Sequence, residues 1–160
     1  MKYFTYELAE KLGSLKTANY EEYERQWEKN TNSYWSLFES YNNILSKKIF
    51  TFFKKGQLHD SLLTSIDLKQ KIGSKKIKHE VAIKFISYYD DRPRELIHKN
   101  VSNYSYFQRS LQMNETLYIL YSELIKEGDE WTHNILFSNG DEVYIRFQSI
   151  TLLLSSGNTE

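Results

Sequence analysis

The dipeptide Asn139-Gly140 constrains the fold of this chain most, because it predicts a β-hairpin and so fixes which side chains face inward. A two-residue loop would put Ser138 opposite Asp141 and mix polar with apolar side chains on both faces. A three-residue loop over 138–140, with Gly140 in the left-handed conformation of a bulge, places Phe137 opposite Asp141 instead. The inner face then carries Trp131, His133, Ile135, Phe137, Val143, Ile145 and Phe147, and the other face carries Thr132, Asn134, Tyr144 and Arg146. A one-residue slip would turn the apolar set outward, so the sequence predicts the second register.

Helical periodicity is typical of residues 1–56. Thr5 is a suitable N-cap for a first helix over 5–12, and Asn19 with Glu22 resembles a capping box. An apolar stripe then continues at helical spacing through Tyr34, Phe38, Tyr41, Leu45, Ile49 and Phe52. The polar run Asn30-Thr31-Asn32 predicts a break between two helices, and Lys54-Lys55-Gly56 predicts the end of the helical part.

Alternation of period two begins after Gly56. Residues 62–69 and 77–85 predict a hairpin with its turn near Ile72-Gly73. A loop is expected over 90–95 around Pro93, and a strand over 101–107. Residues 117–125 fit both a helix and a strand, and the tight turn that follows at Glu127-Gly128-Asp129 favours the strand.

Helices followed by strands predict an α+β fold, in which the N-terminal helices pack on one face of a C-terminal antiparallel sheet. The length of 160 residues suits one domain. We expect this domain over 1–154, helical in 1–56 and mainly β in 57–154, with a disordered tail over 155–160.

Composition excludes several classes of function. Lys plus Arg and Asp plus Glu both number 21, and this balance argues against a nucleic-acid partner. Cysteine is absent, which excludes disulfides, thiolate nucleophiles and zinc–cysteine sites. The start of the chain has no signal-peptide pattern, and no apolar run is long enough to span a bilayer. We therefore expect a cytoplasmic protein with no membrane partner.

Only one candidate functional cluster stands out, His59-Asp60-Ser61 at the start of the first strand. Adjacent residues of a strand point apart, so these three are not a catalytic triad, and a structural turn is the simpler interpretation. The predicted hairpin places His79 opposite Ile66, too far from His59 to share a metal. His133 is expected to be buried and hydrogen-bonded, and His98 to be solvated. No cofactor, metal or catalytic motif is predicted.

Three segments resemble a family of uncharacterised proteins from low-GC Gram-positive bacteria, classified as a domain of unknown function. They are Met1-Lys2-Tyr3-Phe4-Thr5, Leu58-His59-Asp60-Ser61 and the stretch from Asn134 to Glu142. The family brings no established chemistry to this chain. The Leu-His-Asp-Ser entry to a strand, followed by antiparallel strands, is also similar to some small immunity proteins of bacterial toxin systems. That similarity implies a binding role.

Two functional hypotheses follow. Aromatic residues make up 16% of the chain, and they suit either a core of large rings or a partner-binding surface. The leading hypothesis is a non-catalytic module, immunity-like or regulatory, that binds another protein. The alternative is a small-molecule binder or enzyme with a pocket between helices and sheet, rimmed by His59, Asp60 and Ser61.

Overall fold

The computed structural model describes residues 1–14, 19–72, 77–109 and 116–154. Within these ranges the chain forms three helices followed by eight strands, which confirms the α+β class. The helices are α1 (Tyr6–Gly13), α2 (Tyr20–Glu39) and α3 (Lys47–Lys54). The strands are β1 (Leu62–Ile72), β2 (Ile77–Ile86), β3 (Pro93–Lys99), β4 (Asn103–Phe107), β5 (Ile119–Glu127), β6 (Glu130–Phe137), β7 (Glu142–Phe147) and β8 (Ser149–Leu154). The predicted tail over 155–160 lies outside the described residues.

Helix α2 runs through the polar segment where a break was predicted, so the expectation of two helices there is wrong. Asn30 has a low helix propensity, but its Nδ2 donates to the carbonyl of Tyr3 at 2.8 Å, a tertiary bond that favours the helix. The predicted capping box at Asn19 is also wrong, because the Asn19 side chain makes no capping hydrogen bond. The chain leaves the helix after Glu39 instead.

The other helix ends follow the predicted chemistry. The Thr5 hydroxyl accepts a hydrogen bond from the N–H of Leu8 and caps α1. Helix α3 ends at Lys54, and Gly56 adopts the left-handed conformation with φ +61°. A glycine carries no steric penalty there, so the helix stops where the sequence predicts.

The strands form two four-stranded antiparallel sheets, with orders β1-β2-β3-β8 and β4-β7-β6-β5. Arg94 pairs with Leu154 in the first sheet, and Phe107 pairs with Glu142 in the second. Residues 93–107 and 142–154 therefore form one bent two-stranded ribbon that belongs to both sheets. The two sheets also meet at their edge strands β1 and β5, where the N–H of Ile119 donates to the carbonyl of Ser61 at 2.9 Å.

The C-terminal hairpin has the predicted register. The N–H of Phe137 donates to the carbonyl of Asp141 at 2.9 Å, and Gly140 has φ +85°. All seven residues predicted to face inward are buried. The opposite face is less open than predicted, because Thr132 and Leu136 are buried as well. The N-terminal segment lies on that face.

The first hairpin differs from prediction in its register. His79 pairs with Gln70, and Ile66 pairs with Ile83, so the predicted opposition of His79 and Ile66 is wrong. Ile72, at the start of the predicted turn, ends β1, and residues 73–76, which contain Gly73, lie outside the described part of the chain. At the end of the hairpin that is distant from the core, Leu68 and Ile77 are exposed, so neither face of the hairpin is buried there.

Pro93 begins a strand rather than lying within a loop, so the loop predicted over 90–95 is too long. The first residue of a strand is a position where a sheet tolerates the missing N–H of proline. The strands predicted over 101–107 and 117–125 are both present, as β4 and β5.

Aromatic rings of α3 and of the segment between α2 and α3 meet the inner faces of both sheets. Tyr41 packs on Trp131 with ring centroids 5.0 Å apart, and Phe53 packs on His133 at 5.3 Å. Phe52 meets Phe85 of the first sheet at 6.1 Å. The helices thus close the space between the sheets, and none of those described is long and apolar enough to cross a membrane.

Candidate functional site

The segment from Leu58 to Ser61 is held against the start of β5. Leu58 is buried in the core. Asp60 has φ +59°, an uncommon conformation for a residue with a side chain. Its N–H donates to the carbonyl of Ile119 at 2.8 Å, which fixes the turn. The backbone at this position combines a local turn, in which the N–H of Ser61 donates to the carbonyl of Leu58 at 3.3 Å, with pairing to a distant strand.

The three candidate residues occupy different environments. The Asp60 carboxylate lies 2.9 Å from His59 Nδ1, and both side chains are nearly half exposed. The Ser61 side chain is buried, and its hydroxyl donates to the carbonyl of Gln57 at 3.4 Å. His59 and Asp60 are therefore a surface pair, and Ser61 bonds the backbone at the end of the helical part.

A cavity of about 200 Å³ lies beside His59, between α2 and the start of β5. Its lining consists of Phe4, Trp27, Thr31, Tyr34, Trp35, Phe53, Gly56, Leu58, His59, Leu120, Tyr121 and Ser122. Asp60 and Ser61 do not belong to this lining. Half of these residues are Phe, Tyr or Trp. Their rings pack against one another: Trp27 and Tyr121 lie 4.7 Å apart, and Phe4 stacks on Tyr121 at 5.6 Å.

Tyr34 and Tyr121 of the lining are neutral phenols near pH 7. Burial raises the pKa of Tyr34 and of Tyr121 above the ordinary value for a phenol. The Tyr34 hydroxyl accepts a hydrogen bond from the N–H of Leu124 at 3.1 Å and so caps the outer edge of β5. The His59 ring is the one imidazole of the lining, and it lies 5.3 Å from the ring of Tyr121.

One wall of the cavity depends on the buried carboxylate of Glu123, which no sequence pattern had indicated. The backbone N–H groups of Lys2, Tyr3 and Phe4 donate to the Glu123 carboxylate at 2.8, 2.6 and 2.7 Å. Glu123 is fully buried. Three donors replace the water that an ionised carboxylate would otherwise need. This anchor holds Phe4 in the lining.

The prediction that His98 is solvated is wrong, because His98 is fully buried and hydrogen-bonded to His133. A carbonyl can only accept, so His98 Nδ1, at 3.1 Å from the carbonyl of Val81, carries the proton. In a neutral ring His98 Nε2 then accepts from His133 Nδ1 at 2.8 Å. His133 Nε2 is left buried without a partner among the described residues. The pair joins β3 to β6 across the core.

The described residues contain no group of three or more His, Cys, Asp or Glu positioned to hold a metal ion. His79 is exposed on β2, and its Nε2 lies 3.3 Å from the Gln70 side chain. His98 and His133 are two rings that bond each other directly. The histidines of this part of the chain therefore have protein partners rather than an arrangement suited to zinc.

A comparison of the chain with protein-family models finds no match, and a comparison with curated proteins finds none either. The resemblance to the Gram-positive family and to immunity proteins stays a prediction. The case for a function therefore depends on the cavity and its lining.

Proposed function

We propose that this protein is a non-catalytic binding protein, immunity-like or regulatory, whose recognition site is the aromatic cavity. The cavity takes one ring-sized apolar side chain of a partner protein. The observation that carries this proposal is a cavity of about 200 Å³ in which half of the lining residues are aromatic.

The volume supports an occupant of about one ring. A cavity of about 150 Å³ accommodates benzene, whereas pockets for drug-sized ligands and cofactors measure about 300–1,000 Å³. The volume of the cavity beside His59, about 200 Å³, is closer to that of the benzene cavity than to that of a cofactor pocket. A single side chain fits it, and a cofactor with several rings does not.

The expected affinity favours a ring that belongs to a larger partner. Burying an aromatic side chain removes about 150–250 Å² from water, which is worth about 4–6 kcal/mol at 25 cal/mol per Å². Association costs at least about 4 kcal/mol of lost freedom. A free ring would then gain at most about 2 kcal/mol and bind with a dissociation constant of tens of millimolar or weaker, so useful affinity requires further contacts outside the cavity. A protein surface supplies such contacts.

The polar groups of the lining support binding rather than catalysis. His59 is paired with Asp60, which orients an imidazole. However, none of the hydroxyls described in the structure is hydrogen-bonded to His59, and that of Ser61 bonds a backbone carbonyl instead. A base without a nucleophile in hydrogen-bond reach does not form a covalent catalytic site.

Ring binding can be tested by NMR of the three tryptophan indole N–H groups of the full chain. Trp27 and Trp35 line the cavity, whereas Trp131 packs on Tyr41 outside it and is an internal control. Titration with p-cresol, indole and toluene should shift the first two resonances and leave the third unchanged. If Trp27 and Trp35 do not shift at tens of millimolar p-cresol, or if all three resonances shift alike, the cavity is not the site.

The protein partner is tested by competition. A partner captured from the native host must be released by p-cresol. It must also bind less well to Ser122→Leu, which fills the lining, than to Ser105→Leu, which makes the same change at an exposed site on β4. A partner that survives both perturbations binds elsewhere and contradicts the proposal.

The alternative, a free small molecule in the same cavity, is favoured by the His59–Asp60 pair beside it. An imidazole at the opening would interact with a carboxylate attached to the ring. This alternative predicts that 4-hydroxyphenylacetate binds more tightly than p-cresol to the unmodified protein, and that His59→Ala removes the difference. Equal affinities for the two compounds would exclude it.

A further inference from the structure

Strand β1 is an edge strand of the first sheet, and most of its outer edge is unpaired. At its N-terminal end, the N–H of Leu63 donates to the carbonyl of Leu117 at 2.9 Å, just before β5. From Ser65 to Ile72, β1 pairs only with β2 among the described residues. This part of the strand therefore presents a row of unpaired backbone groups, which is a template for a further strand.

The direction of these backbone groups follows from the pairing of His79. The carbonyl of His79 accepts a hydrogen bond from the N–H of Val101 at 2.9 Å, so it points away from β1. In an antiparallel pair the N–H and C=O of one residue point to the same side, so Gln70, which is opposite His79, directs both groups to the outer edge. Alternation along the strand gives Leu68 and Ile72 the same direction.

The two faces of this part of β1 differ in chemistry. Leu68 and Ile72 lie on one face and are 61% and 84% exposed, and Ile77, which pairs with Ile72, is 59% exposed. Side chains alternate between the faces of a strand, so Lys69 and Lys71 lie on the other. A strand added to this edge would meet apolar side chains on one face and ammonium groups on the other.

The positive charge of the lysine face selects the kind of strand that fits. Lys71 Nζ lies 2.8 Å from the Glu80 carboxylate, and Lys84 Nζ lies 2.8 Å from that of Asp67. Lys69 forms no ion pair with a carboxylate in the described part of the chain. A second copy of the chain would bring lysine beside lysine across the new edge, which opposes self-pairing. An acidic strand would be attracted instead.

We propose that the outer edge of β1 binds an extended acidic segment of a partner protein, which adds a strand to the first sheet. Apolar residues of the segment lie beside Leu68 and Ile72, and alternate with Asp or Glu residues beside Lys69 and Lys71. Backbone hydrogen bonds supply affinity, and the alternation supplies specificity. None of these four residues lines the aromatic cavity, so the surface is separate from the site of the proposed function.

Amide hydrogen exchange of the full chain tests this proposal. The probe is a peptide of alternating Glu and Val, blocked at both ends and as long as the open edge, and its control is the same peptide with Lys in place of Glu. The outward N–H groups of Leu68, Gln70 and Ile72 should exchange rapidly in the protein alone and become protected by excess Glu/Val peptide. The N–H groups of Lys69 and Lys71 face β2 and should change little. The Lys/Val peptide should protect none of them.

Two pairs of variants separate the backbone contribution from the charge. Gln70→Pro removes an outward N–H, which an edge strand tolerates, and should weaken Glu/Val binding about 3- to 10-fold. Gln70→Ala retains the N–H and should bind like the unmodified protein. Lys69→Glu should weaken binding at least about twofold. Lys29→Glu, at an exposed position of α2, changes the net charge equally and should have no effect.

Several outcomes would overturn the proposal. The outward N–H groups remain unprotected, or the Glu/Val and Lys/Val peptides bind equally, so that charge does not select the partner. Sedimentation shows that the chain alone dimerises and protects this edge, which makes a second copy the occupant. A mixed oligonucleotide protects the edge and the Glu/Val peptide does not. The two peptides decide the matter on the unmodified protein even if a variant does not fold, and the indole titration tests the cavity separately.

Discussion

Acidification should destabilise the protein through the two buried histidines. Burial lowers the pKa of His98 to about 4, opposed in part by the hydrogen bond to Val81, and an exposed imidazole has a pKa of about 6.5. Burial also lowers the pKa of His133, and its proximity to His98 lowers it further. Protonation of either ring would place a charge in the core and break the chain of bonds from Val81 to His133.

The sign and size of the effect follow from proton binding. Between a pH of about 6.5 and about 4 the unfolded chain holds a proton on residue 98 that the folded chain excludes. The contribution of this histidine to stability is therefore fully present above that window and decreases as the pH falls through it. Each pH unit removes about 1.4 kcal/mol, so acidification to about pH 5 removes about 2 kcal/mol through His98 alone. His133 increases this loss.

Urea unfolding at pH 7, 6 and 5 measures the decline. Carboxylates with a lowered pKa, such as Asp67 hydrogen-bonded to Lys84, lose their contribution only below a pH of about 4. The chosen range therefore isolates the histidines. The double variant His98→Leu/His133→Leu removes both groups and should flatten the profile. The reasoning is refuted if the free energy of unfolding is equal at pH 7 and pH 5, or if the double variant declines as steeply.

Three further predictions concern stability. Ile145→Asp should cost several kcal/mol because it buries an unpaired charge, and Tyr144→Asp on the other face should cost about 1 kcal/mol; equal losses in melting temperature would contradict the hairpin register. Glu123→Gln should cost about 2–4 kcal/mol and accelerate amide exchange in the first four residues, because a carboxamide cannot accept all three N–H groups; unchanged exchange would argue against the anchor. Gly140→Ala should be destabilising, since its φ is +85° and an added Cβ would lie 2.7 Å from an aromatic ring of α1, whereas Gly13→Ala has open space and should be close to neutral in urea unfolding.

The C-terminal hairpin was predictable because two local signals agree. The Asn139-Gly140 turn restricts the loop, and only one loop length puts Ile135 and Phe137 on the same face as Val143, Ile145 and Phe147. Lys54-Lys55-Gly56 was predictable for a similar reason, since charge and left-handed glycine both indicate a helix end.

The burial of His98 was not predictable from the sequence pattern around it. The inward positions of β3 are Arg94, Leu96 and His98, two of which are polar, so alternation of apolar residues does not reveal this strand. Its inward orientation depends on pairing with β2 and β8, which lie on both sides of it. A central strand with a polar inner face resembles a solvated loop in a single sequence.

The sequence predicted a pocket between the helices and the sheet, but it did not predict which residues line it apart from His59. Its lining comes from the N-terminus, α2, the segment after α3 and β5, which are brought together by tertiary pairing. The helical spacing of Trp27, Thr31 and Trp35 was present in the sequence. However, the break predicted at Asn30-Thr31-Asn32 divided that face between two helices and hid it.

The bent ribbon formed by 93–107 and 142–154 has a consequence for how the molecule comes apart. Because the same two segments supply strands to both sheets, neither sheet can lose its pairing without pulling on the other. If only one sheet unfolded, each of these two segments would be paired along one half of its length and unpaired along the other. Loss of structure should therefore be a single cooperative transition, with the two sheets dissolving together rather than in sequence.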